Sequence, residues 1–115
     1  MSEQPQVSDA MTRLKELAFE KLRDKHYSAA ESACLQYLSG GKKDWKILHV
    51  LGVCQLALGN KNLSTNTLRR SIKLAPDNVE VLEALAMSHL NNKESDEYLQ
   101  VSPKMVLTRY LDSPP

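Results

Sequence analysis

A chain of 115 residues has room for one hydrophobic core. Fifteen Lys and Arg against fourteen Asp and Glu leave a formal charge of +1, so no global field draws it toward nucleic acid or an anionic membrane. An aromatic content of 5% argues against a base-stacking surface, while 42% hydrophobic and 25% charged residues suit a globular protein with an aliphatic interior.

Residues 1–8 are polar, contain Pro5, and lack the basic-then-apolar layout of a signal peptide; a disordered N-terminal segment is expected. A first helix follows, with Leu14, Leu17 and Leu22 on one stripe. The polar break Asp24-Lys25-His26 ends it. A second helix carries Tyr27 and Ala30 and stops at Gly40-Gly41. Asp44 is placed to cap a third helix containing Leu48, Leu51, Gly52 and Leu56. Gly59-Asn60-Lys61 closes that helix, and a fourth follows with Ser64, Leu68 and Ser71. Pro76 stops the fourth helix, and either Asp77 or Asn78 can cap a fifth, with Glu80 available for a capping box if Asp77 is the cap. Leu82, Leu85, Ala86 and Leu90 pattern the fifth helix up to Asn91-Asn92-Lys93. Beyond it, Tyr98 and Pro103 depart from the earlier pattern. Ser102 and Pro103 suit the start of a short terminal helix through Leu111.

Shifting the chain by 34 residues aligns Leu14 with Leu48 and Leu82, Leu17 with Leu51 and Leu85, and Leu22 with Leu56 and Leu90. A small residue follows the second column each time: Ala18, Gly52, Ala86. Such a residue lets a neighbouring helix approach closely. This pattern resembles the tetratricopeptide repeat, a 34-residue helix pair with a W-x2-L-G-x2-Y…A-x3-F…P framework. Leu48, Leu51-Gly52, Ser64, Leu68, Ser71 and Pro76 of the middle unit carry the match, with Leu48 in place of the usual Trp. The resemblance implies an all-α fold of antiparallel helix pairs stacked as a short right-handed superhelix. A single domain over residues 9–112 is expected, in units of about 11–44, 45–78 and 79–112, with residues 113–115 as a tail. Residues 102–111 then read as a C-terminal cap, or as a segment that fills the groove or swaps into a neighbour.

In that family the first helices of successive units line a concave groove. The resemblance places Lys15, Phe19 and Leu22 there, with Lys46, His49, Val53 and Leu56 from the second unit and Glu83, Met87 and Leu90 from the third. The row Phe19, Val53, Met87 would be an apolar strip for an apolar helix or extended peptide of a partner, or would simply complete the core or be covered by the chain's own tail. The family's clamp for acidic chaperone tails is not matched. Lys15 fits it, but Phe19 and Val50 stand where asparagines are required, and Glu80 and Ala84 where basic groups are.

Catalytic and metal-binding patterns are missing from the sequence. His26, His49 and His89 lack ligand spacing, and Cys34 and Cys54 fall on apolar helix faces as buried thiols. Gly40-Gly41-Lys42-Lys43 lacks the spacing of a phosphate loop. The pairs Lys42-Lys43 and Arg69-Arg70 read as solvated helix-end charges. The stretch Ile47 to Leu58 falls short of the roughly 20 apolar residues of a membrane span.

The expected function is therefore non-enzymatic and cofactor-free. It is that of a cytoplasmic interaction module, small chaperone or adaptor holding an apolar segment of another protein, with no nucleic-acid partner. In size and groove character the chain is similar to the three-repeat chaperones of bacterial type III secretion. The alternative is a structural subunit that self-associates or sits permanently in a complex, its groove covered by its own C-terminal segment.

Overall fold

The computed structural model describes residues 7–41 and 43–88. They form five α-helices: α1 (Val7–Arg23), α2 (Tyr27–Ser39), α3 (Trp45–Ala57), α4 (Lys61–Leu74) and α5 (Val79–Met87). The expected all-α fold of packed helix pairs is observed, with no strand among the described residues. Helix α1 begins at Val7, two residues ahead of the expected domain start. The second half of the third unit, with Leu90, His89 and the Ser102–Leu111 segment, lies outside the described residues.

The 34-residue period recurs in the backbone. Helices α1 and α3 end at Arg23 and Ala57, α2 and α4 start at Tyr27 and Lys61, and α3 and α5 start at Trp45 and Val79. The turns match bond for bond. His26 N–H donates to the Lys21 carbonyl at 2.8 Å and Lys25 N–H to Leu22 at 3.0 Å; Asn60 N–H donates to Gln55 at 2.8 Å and Gly59 N–H to Leu56 at 3.1 Å. This paired pattern is a Schellman turn, which needs a left-handed residue after the helix. Gly59 supplies it at φ 87°, and Lys25 is forced into it at φ 60°. Turns this short return the chain antiparallel to itself.

The start caps match as well. The Asp44 carboxylate accepts from Lys46 N–H at 2.9 Å, and the Asn78 side-chain oxygen accepts from Val81 N–H at 3.0 Å. Of the two candidates before α5, Asn78 is the cap.

The core is centred on α3, where every residue from Ile47 to Leu56 is buried. α3 packs most extensively on α4, and Gly52 explains how closely. A Cβ at that position would lie 2.5 Å from the Leu68 side chain. The space a side chain would fill is occupied by the facing helix. Hydroxyls on α4 then bond across the seam. Ser64 Oγ donates to the Gly52 carbonyl at 2.7 Å, Ser71 Oγ to the Trp45 carbonyl at 2.8 Å, and Thr67 Oγ1 to Gln55 Oε1 at 2.7 Å. Burial of these polar groups is tolerated because each is paired.

Candidate functional site

The element contacts define two faces. α1 touches α3 and α3 touches α5, so the first helices of the units adjoin one another. The second helices α2 and α4 have no comparable contact and splay apart.

On the α1–α3–α5 side the expected groove residues separate into interior and rim. Phe19, Leu22, His49, Val53 and Leu56 are buried, and the four apolar ones belong to the main core cluster. Of the row Phe19, Val53, Met87, Phe19 is 8% exposed and Val53 0%, so both are buried here. α3 packs against both α1 and α5 on this side. A charge at Val53 would break the core rather than probe a groove. Lys15, Lys46 and Met87 are half-buried, and Glu83 is exposed.

Lys15 is engaged within the chain. Its Nζ lies 2.7 Å from Asp44 Oδ2, which also accepts from the Tyr37 hydroxyl at 3.1 Å. One carboxylate thus caps α3 and ties it to α1 and α2. Burial pushes the Asp44 carboxyl up, but the Lys15 ammonium, the Lys46 N–H and the Tyr37 hydroxyl outweigh it and hold it below the usual carboxylate range. Burial and the Asp44 charge push the Tyr37 hydroxyl up.

His49 is wholly enclosed. Burial drives its pKa down to about 4, only partly opposed by the charge of Glu80, so the imidazole is neutral at physiological pH. Cys34 and Cys54 are buried free thiols, as expected. Burial raises both above the ordinary thiol range, Cys34 to about 12, which keeps them protonated and unreactive.

On the opposite side, the splaying of α2 and α4 leaves a pocket of 230 Å³ lined by Leu38, Leu48, Leu74, Lys43, Arg70 and Lys73. Leu48 is buried and forms the floor, whereas Leu74 and the three cations are exposed. Sequence reasoning missed this site by treating Lys43 and Arg70 as members of separate solvated pairs. A partial signal was present: Arg70, Lys73 and Leu74 stand at i, i+3 and i+4 and share one face of α4. The approach of Lys43 and Leu38 from α2 and its following loop has no such local signature.

No helix among the described residues is long and apolar enough to cross a membrane. Comparison with protein-family models, curated proteins and solved structures finds no match to this chain.

Proposed function

We propose that this chain is a protein-interaction module of the tetratricopeptide type, acting in the cytoplasm as an adaptor or small chaperone and carrying out no reaction of its own. The observation that carries this reading is the in-register recurrence of turn and cap, Lys25 with Gly59 and Asp44 with Asn78, in helix pairs whose first helices adjoin. Stacked repeats of this kind present an extended surface to a partner and bury only neighbour against neighbour. The partner surface is the rim of the α1–α3–α5 face, to which the half-buried Lys46 and the exposed Glu83 belong, because Phe19 and Val53 beneath are buried.

The test is affinity capture from the native cell followed by lysine cross-linking and mass spectrometry. A partner cross-linked at Lys46, and lost on Glu83→Lys in a protein of unchanged helicity, is the expected result. A second reading, self-association, is favoured by apolar residues exposed on the first helix pair, Leu17 and Leu35, and on α5, Val79 and Leu82. Concentration-dependent dimers in sedimentation, with no captured partner, would replace the first reading with this one.

A further inference from the structure

The pocket between α2 and α4 lies away from the face assigned above and is independent of that assignment. Its floor and walls are aliphatic, Leu38, Leu48 and Leu74, and its rim is cationic, Lys43, Arg70 and Lys73. Among the described residues no Asp or Glu lines it, and none of the three cations forms an ion pair. Asp44, next to Lys43 in the chain, cannot neutralise the rim because its carboxylate is committed to Lys15, Tyr37 and the α3 cap. The last turns of α2 and α4 contribute partial charges of about −0.5 each, which three full positive charges exceed. The field at the mouth therefore favours an anion, while the floor favours an aliphatic group.

A space of 230 Å³ is below the roughly 300–1,000 Å³ of pockets that enclose whole small molecules, so it suits a side chain presented by a longer ligand. We propose that this pocket binds an acidic segment of a partner polypeptide, with one aliphatic side chain seated against Leu48 and flanking carboxylates on Lys43, Arg70 and Lys73. Arg70 offers the planar fork that pairs bidentately with a carboxylate, and the lysines act as point charges on either side. Acidic-motif recognition by a basic cluster is an established mode; the leucine floor adds a demand for an apolar residue in register with the acids.

The test uses the full chain and a short fluorescein-labelled peptide carrying one leucine between runs of glutamate and aspartate. Fluorescence anisotropy is expected to show saturable binding that weakens with added salt, and amide shifts are expected to cluster at Lys43 and at Arg70 to Leu74. Replacing the peptide leucine by serine, or the protein's Arg70→Glu together with Lys73→Glu, is expected to weaken binding by about tenfold or more. Both protein positions are exposed, and unchanged circular dichroism would show that the fold survives. Equal affinity for the serine peptide would overturn the proposal, because the apolar floor would then play no part. So would undiminished binding to the double variant. Binding of a single-stranded oligonucleotide in preference to the peptide, or a dimer that excludes the peptide, would assign the surface to nucleic acid or to a second copy and overturn it equally.

Discussion

The two complete helix pairs, α1–α2 and α3–α4, share a period, a turn and a spacing, yet they bury their equivalent residues differently. Leu51 is 1% exposed, whereas its counterpart Leu17 is 40% exposed. His49 is fully enclosed, whereas its counterpart Lys15 keeps access to solvent and pairs with Asp44. Gly52 admits Leu68 to the helix backbone, where the first pair sets Ala18 and Cys34 in the same register. Among the described residues, the second pair packs against α1 and α2 on one side and α5 on the other, whereas the first pair packs against α3 alone. Equivalent residues in a stacked array therefore carry unequal energetic weight, set by position in the array as much as by position in the repeat.

Substituting the two leucines tests this contrast with the largest expected effect. Leu51→Ala should cost about 3 kcal/mol in denaturant unfolding, for lost burial and the cavity left behind. Leu17→Ala should cost under about 1 kcal/mol. Similar losses at both sites would show that the first pair is as enclosed as the second.

Acid titration should come next. The unfolded chain protonates His49 near 6.5, while the folded protein resists until about 4, so the unfolded state holds more protons between those values. Stability should then fall as pH drops through that window, by up to about 3 kcal/mol at 1.36 kcal/mol per unit. His49→Leu should flatten the slope there. The loss of the Asp44 contribution, whose pKa is lowered in the folded state, is expected only at more acid pH, as that carboxylate protonates. A slope unchanged in the His49 variant would place the acid sensitivity elsewhere.

The smallest effect concerns the turns. Lys25 holds a left-handed conformation that Gly59 adopts at no steric cost. Lys25→Gly should raise stability by about 0.5–1 kcal/mol, the steric relief being partly offset by the freer unfolded chain. A thermal melt that moves downward would mean the Lys25 side chain contributes more than its backbone strain costs.

Much of this architecture was legible before folding was considered. Asp44 was readable as a cap, and the next cap was narrowed to Asp77 or Asn78, because a short acceptor before an apolar helix has one favourable use. Gly40-Gly41 and Gly59 were readable as stops, and Gly52 as a point of close approach. All of these are local signals, carried within one or two helical turns. The candidate sites were less legible. Phe19 and Val53 read equally as a groove row or as core when each helix is considered alone, and only the packed structure shows both buried. Ser64 and Ser71 read simply as small residues, but the packed seam makes them donors to α3 carbonyls.

The sequence by itself determined the period, the breaks between successive helices and the all-helical class, because these follow from nearest-neighbour sterics, capping and the spacing of leucines. Tertiary structure alone decided which leucines are core and which are surface. It also seated His49 out of water, committed Asp44 to three partners at once, and gathered Lys43, Arg70 and Lys73 around an aliphatic floor. The reason is physical: burial and field strength depend on what approaches from elsewhere in the chain, and no short window of residues contains that information.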